Sequence, residues 1–349
     1  MKHRRRFVGV AYAIGSAALF GVSTPFAKRL LPSVEPVLMA GLLYLGSGLG
    51  LAAYRIVRGA AAEARLARRD VPWLVAAIVC GGVIGPVLLM FGLSSTAASS
   101  ASLLLNLEGV FTVLLAWFVF KENFDRRIAI GMALISGGAF TLSWVGRPAL
   151  GVPWGGLAIM AACLAWAVDN NLTRHVSAAD PVQIAMLKGL CAGAVNTGLA
   201  FSLGARLPRV GSLAAITVVG FLGYGVSLAL FVLALRHLGT ARTGAYFSLA
   251  PFLGAAVSIV WLHDSLSAGF VVATFLMAAG VWLHLSERHE HAHTHASMEH
   301  EHLHHHDAHH QHRHRPDDPS GEPHSHRHRH APMTHAHPHY PDLHHRHDH

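Results

Sequence analysis

Ten apolar runs, each about as long as a bilayer is thick, succeed one another from Phe7 to Leu285 with short connections between them. They lie near 7–27, 34–54, 72–93, 97–120, 128–146, 154–173, 181–203, 211–235, 240–262 and 268–285. A helix needs about 20 mostly apolar residues to cross a hydrocarbon core of about 30 Å. Inside that core every backbone polar group must find its partner within the segment or in a neighbouring protein helix. The runs therefore predict an all-α integral membrane protein of ten transmembrane helices. Composition agrees, since only 13% of residues are charged where a soluble domain carries about 25%. The basic start at Lys2–Arg6 imitates a signal peptide, but the run continues to Ala27 without a small-x-small cleavage site and reads as a first span.

Basic residues set the orientation. With the N-terminus inside, the inner segments hold Lys2, Arg4–Arg6, Arg55, Arg58, Arg65, Arg68, Arg69, Lys121, Arg126, Arg127, Arg174, Arg236 and Arg242. The outer segments hold Lys28, Arg29, Arg147, Arg206 and Arg209. The excess of Lys and Arg favours both termini in the cytoplasm, as in a bacterial inner (plasma) membrane. Cys80, Cys163 and Cys191 lie in apolar runs without CxxC spacing and read as core thiols.

The chain also repeats itself. The register that lays Leu107 on Leu249 also lays Gly109 on Pro251, Glu122 on Asp264 and Gly138 on Gly280. A slightly longer slide lays Phe20 on Trp166 and Lys28 on Arg174. Each copy has five spans, and an odd number sends the second copy in from the opposite side. The expected architecture is two inverted five-helix repeats, at 1–150 and 151–286, with a solute site between them near mid-membrane.

Leu107-Glu108-Gly109-Val110-Phe111 resembles the LEPVF signature of the fourth helix of the drug/metabolite transporter superfamily, with Gly109 in place of proline and Glu122 as the acidic stop. Leu249-Ala250-Pro251-Phe252 is its second-half counterpart, and Cys163-Leu164-Ala165-Trp166-Ala167 with Arg174 resembles the sixth helix. The resemblance is to EamA-type permeases with two EamA domains and covers residues 8–285. It implies ten helices around a central cavity and export of amino acids or other small metabolites. The missing proline implies a straighter fourth helix.

Ionisable residues inside spans are expensive and mark function by default. Glu108 is the one such residue between Ala97 and Phe120. On a continuous helix it shares a face with Ala101, Leu105 and Thr112, whereas Asn106 aligns with Ser99, Ser102 and Gly109. The first face reads as cavity and the second as helix packing. A buried structural carboxylate is the alternative for Glu108. Trp166, Asp169, Asn170 and Thr173 form one stripe of the sixth span, with Asn171 beside it as a packing amide. Lys188 lies at comparable depth on the seventh, so an Asp169–Lys188 pair is expected, either structural or as a gate or carboxylate anchor. Pro86 and Pro251 read as kinks whose freed carbonyls line a cavity or simply pack. Trp166, Tyr246 and Phe247 are candidate floor residues. The substrate-binding set is thus Glu108, Trp166, Asp169, Asn170, Lys188 and Tyr246.

Beyond residue 285 lie 24 of the 29 His and no apolar periodicity, so a disordered cytoplasmic tail is expected over 287–349. Neutral imidazoles at H-x-H and HHH spacing suit Zn²⁺, Ni²⁺ or Co²⁺, with His291, His293, His295, His304, His305 and His306 as candidate ligands. No nucleotide-binding loop and no nucleophile–base set is visible, so neither an enzyme nor a required cofactor is expected. The expected partners are lipid, a small solute and divalent ions but no nucleic acid, with the chain monomeric or homodimeric. Three functions compete: a gradient-driven metabolite exporter with a metal-binding tail, a divalent-metal exporter, and a non-transporting membrane metal sensor.

Overall fold

The computed structural model describes residues 2–58, 66, 68–120, 126–144, 154–176, 179–238, 243, 246–285, 290–295, 298–304, 324–330 and 333–338. The boundaries expected at 150/151 and 286/287, with Glu122, His305 and His306, lie outside the described residues.

The described residues of the body form ten helical rods. The first two are α1 (Lys2–Leu30) and α2 (Pro36–Arg58). The third joins α3 (Val71–Ala77), a π-helical segment Ile78–Ile84 and α4 (Gly85–Ser95). The fourth is broken into α5 (Ala98–Leu104) and α6 (Leu107–Phe120). Then come α7 (Arg126–Trp144), α8 (Trp154–Thr173) and α9 (Pro181–Ser202). The eighth rod joins α10 (Val210–Val219), a second π-helical segment Gly220–Val226 and α11 (Ser227–Leu238). The last two are α12 (Ala250–Leu262) and α13 (Ala268–Leu285). Among the described residues, six stretches are long and apolar enough to cross a membrane, and Ala129–Leu142, Ala250–Leu262 and Ala268–Leu283 are shorter apolar helices.

The inverted repeat is visible in who touches whom. Helix α2 packs on α9, its own counterpart, and α7 packs on α13, its counterpart. Contacts of an element with its own copy are what a pseudo-two-fold axis produces. Helix α1 packs on α11 and α12, while its copy α8 packs on α4 and α6. The self-paired helices meet through glycine. A Cβ on Gly48 would lie 2.5 Å from the Leu190 amide nitrogen, and one on Gly193 2.5 Å from that of Leu45. Gly138 and Gly280, which the repeat superposes, do the same for the other pair: their Cβ atoms would lie 2.7 Å from Met277 and 2.6 Å from the Gly131 carbonyl. Small residues let helices approach until their backbones touch, the main source of packing energy where water is absent.

The π-helical segments also obey the repeat, since 78–84 falls on 220–226 in the same register that lays Gly138 on Gly280. In the first, the Gly85 amide bonds Cys80 O, five residues back, so Gly81 O loses its usual partner. Pro86 has no N–H, so Gly82 O is orphaned as well. In the second, the Ser227 amide bonds Leu222 O in the same way.

Three expectations change here. The fourth rod is not continuous: Leu105–Asn106 form a turn, so a single helical wheel across it does not apply, and losing the signature proline has not straightened it. Gly109 is exposed and a Cβ there would meet nothing within 4 Å, so it is not a packing residue. Pro251 opens α12 rather than kinking a helix. Of the three thiols, Cys163 is buried, Cys80 is half-buried and Cys191 is exposed on α9.

The tail departs from the expected lack of secondary structure. Its described residues form strands β1 (Glu290–His295), β2 (Met298–His304), β3 (His324–His330) and β4 (Met333–Pro338), with β1 antiparallel to β4 and β2 to β3. Alternation of His with small or charged residues has the period of a strand, a signal that low apolar content hides.

Candidate functional site

The break in the fourth rod is what presents Glu108. The Asn106 and Glu108 amides bond to Leu103 O and Leu105 O, a tight turn after which α6 restarts with Glu108 in its first turn. A carboxylate there is favoured by the exposed N–H groups and the dipole of the new helix. Glu108 O accepts from Thr112 Oγ1 at 2.8 Å, and Glu108 Oε1 accepts from Asn170 Nδ2 at 2.7 Å. Glu108 is half-buried and Asn170 exposed, and with Gly109 they border open space. The polar stripe on α8 and the acid of α6 therefore meet through Asn170.

Asp169 and Lys188 form the ion pair that their depths suggested. Lys188 Nζ lies 2.6 Å from both Asp169 oxygens and 3.4 Å from Thr173 Oγ1, while Thr173 Oγ1 donates to Asp169 Oδ1 at 2.8 Å. Both charges are buried. The pair cancels itself, whereas the Glu108 side chain is met by the neutral amide of Asn170. Asp169 and Lys188 are near enough to act on Glu108 with opposite signs.

The π-helical segment of the third rod organises the rest. Its orphaned Gly81 O accepts from Tyr44 Oη at 2.8 Å and Trp166 Nε1 at 2.9 Å. Asn196 Nδ2 donates to Gly82 O at 3.2 Å and Val83 O at 3.4 Å. The carbonyls freed around Pro86 are thus consumed by side chains of α2, α8 and α9, which favours the packing reading of that proline. Gly81 must be glycine, because a Cβ there would collide with the Asp169 carboxylate. A Cβ on its repeat counterpart Gly223 would lie 2.5 Å from Ser23 Cβ of α1. Among the described residues, the Gly81 side thus faces a charge and the Gly223 side a serine, and α1 also meets the eighth rod through the reciprocal Ser16–Ser227 pair with bonds of 2.7 and 2.9 Å.

Rings line the boundary between the halves. Phe20 contacts Trp166 at 6.4 Å, Tyr224 at 5.8 Å and Phe247 at 5.5 Å, Tyr224 contacts Tyr44 at 5.5 Å, and Phe247 contacts Phe231 at 4.9 Å. Phe247 reaches this cluster through Phe20 and Phe231, and Tyr246 lies one residue before it, half-buried. Sequence reasoning missed Tyr44, Tyr224 and Asn196. The repeat register that lays Phe20 on Trp166 was the available clue to the ring cluster. Asn106 packs as expected, donating to Leu103 O and Met277 Sδ, as does Asn171, which donates to Ala167 O.

The two ends of the bundle are tied differently. At one, Lys28 Nζ donates to Leu93 O at 2.6 Å and Ser94 O at 3.2 Å, the Ser99 amide donates to Asp264 Oδ2 at 2.8 Å, and Phe26 packs on Trp261 at 4.5 Å. These contacts join α1, α4, α5 and α12 into a closed ring. At the other, Arg55 and Asp180 pair at 2.6 Å between α2 and α9, and Trp73 stacks on His175 at 4.2 Å. Among the residues whose side chains the structure describes, no group of three or more His, Cys, Asp or Glu is arranged to hold a metal ion.

A paired, inverted five-helix bundle with an intramembrane acid is shared by many permeases, and comparison with known proteins narrows it. The family model for EamA-like transporters matches residues 7–144 and again 153–286. The chain belongs to the EamA-like transporter family. This family member is 29% identical over 299 residues to a protein of Methanothermobacter thermautotrophicus described as an uncharacterized transporter, covering 80% of this chain and 87% of that one. A solved crystal structure shares the fold, with a TM-score of 0.60 at 18% identity over 80% of this chain and 95% of the other. The EamA-like transporter is accordingly a multi-pass membrane transporter whose membrane body, two EamA repeats, is all-α.

Proposed function

We propose that this transporter is a gradient-driven exporter of amino acids or other small metabolites, with Glu108 as the group that exchanges a proton or meets the cationic part of the solute. One observation carries the reading: Glu108 opens a half-helix inside the bundle, borders open space and is balanced by a neutral amide. An intramembrane acid is expensive to hold there, so by default it marks a proton or solute contact. Asn170 presents the carboxylate, and Trp166 and its ring neighbours offer the apolar surface. Asp169 and Lys188, which neutralise each other, hold α8 against α9. Both termini face the cytoplasm of a bacterial cell in this reading, and the tail binds Zn²⁺, Ni²⁺ or Co²⁺ there. The divalent-metal exporter and the membrane metal sensor draw support from the tail alone.

The test is efflux from preloaded cells or proteoliposomes under an imposed pH gradient, with a solute panel and with Zn²⁺, Ni²⁺ and Co²⁺. Wild type should move at least one organic solute and the Glu108→Gln variant should not, at equal membrane abundance. Equal solute efflux by Glu108→Gln overturns the role given to the carboxylate. Metal efflux without solute efflux overturns the metabolite reading.

A further inference from the structure

We infer that the tail is a divalent-metal site built from cross-strand histidine pairs, closed as one long hairpin by an ion of the Zn²⁺, Ni²⁺ or Co²⁺ class. The inference rests on the reading of the tail as metal-binding and adds which histidines act together. The register places His291 opposite His337, His293 opposite His335, His300 opposite His328, His302 opposite His326, and His304 opposite His324. One stagger runs through both ladders. From the Glu290–Pro338 pair to the His304–His324 pair, every residue gained on one side is matched by one lost on the other. The charges between the histidines are complementary in the same register, with Glu299 opposite Arg329 and Glu301 opposite Arg327. A tail of arbitrary composition has no reason to set acid against base and imidazole against imidazole at once.

The period of a strand assigns His300, His302, His304, His324, His326 and His328 to one face of the second ladder and the Glu/Arg pairs to the other. Residues directly opposite one another have Cβ atoms about 4.5–5.5 Å apart, close enough for two imidazoles to share an ion at about 2.0–2.1 Å. Two successive pairs offer four neutral nitrogen ligands, a set that suits Zn²⁺ and its neighbours better than Mg²⁺ or Ca²⁺. The ladders hold few apolar residues, so burial offsets little of the entropy lost in closing the loop between them. An ion that binds the paired form supplies that free energy instead.

The experiment titrates purified full-length protein with Co²⁺, read by its visible d–d absorption and by Zn²⁺ competition. It uses a truncation after residue 287, His302→Asn, His326→Asn, their double variant, and the unpaired double His302→Asn/His337→Asn. Either member of a shared pair should weaken the same sites, by about tenfold or more where one of two chelating ligands is lost. The 302/326 double variant should then be little worse than each single variant, while the 302/337 double should lose more. Equal, additive losses in both doubles overturn the pairing and leave the metal-binding reading standing. Full-length protein that takes up no more Co²⁺ than the truncation overturns both.

Discussion

Replacing Lys188 with Met removes one half of an ion pair that is buried on both sides. Asp169 is 6% and Lys188 9% exposed, and Nζ sits 2.6 Å from each carboxylate oxygen. Without the ammonium, the carboxylate keeps only the Thr173 hydroxyl, in a place from which water is excluded. Breaking a buried pair this way costs about 3–5 kcal/mol, whereas replacing both partners with neutral groups of similar size is often near neutral. The Lys188→Met variant should therefore melt well below wild type in detergent, and Asp169→Asn/Lys188→Met should recover most of the loss. Intrinsic tryptophan fluorescence or size-exclusion recovery after heating measures both. Transport by the double variant then divides structure from chemistry: if the pair only holds α8 to α9, a refolded double variant still moves solute. An unchanged melting point for Lys188→Met, or a double variant no better than the single, refutes the reasoning.

Other expectations follow from the same geometry. Tyr44→Phe and Trp166→Phe each leave Gly81 O one donor and should cost about 1 kcal/mol, but together they orphan a buried carbonyl and should cost more than their sum, as a double-mutant thermal series would reveal. Gly81→Ala pushes a methyl into the Asp169 carboxylate and should destabilise by about 1–3 kcal/mol, an effect that Asp169→Ala in the same chain should relieve on a melting curve. Lys28→Met removes the bonds to Leu93 O and Ser94 O and should open that end of the bundle, raising the rate at which a membrane-impermeant maleimide modifies Cys introduced at Ser95; an unchanged labelling rate would remove Lys28 from the closure. Co²⁺ uptake by the tail should fall as pH drops through about 6.5, because imidazole must be neutral to ligate, and a flat binding curve from pH 8 to 5 would point to other ligands.

Much of the fold was legible because a bilayer leaves few choices. Apolar length marks the spans, and five spans per copy dictate inversion. The register that superposes Gly138 on Gly280 also superposes the two π-helical segments, so the repeat reaches into details that no hydropathy plot carries. The Asp169–Lys188 pair was legible too, since two antiparallel helices joined by a short turn bring equidistant residues level. The helical wheel of the fourth span was not reliable, for a wheel assumes an unbroken hydrogen-bond phase and Leu105–Asn106 interrupt it. Asn106 packs in spite of that break, but Gly109 left the packing face with the change of phase.

By itself the sequence determined that the body lives in lipid, that it is doubled, and that two acids, Glu108 and Asp169, lie within spans that carry no basic residue of their own. Each follows from local composition and spacing, because transfer into hydrocarbon acts on every residue where it stands. Only the tertiary structure decided which partners answer the orphaned groups. Pro86 announces a free carbonyl in the chain, but the donors to Gly81 O and Gly82 O are Tyr44, Trp166 and Asn196, which lie 37, 85 and 114 residues from the carbonyls they serve. Likewise Asn170 meets Glu108 across 62 residues. Such pairings depend on how helices rotate and approach, which is set by the fit of glycine faces across the whole bundle.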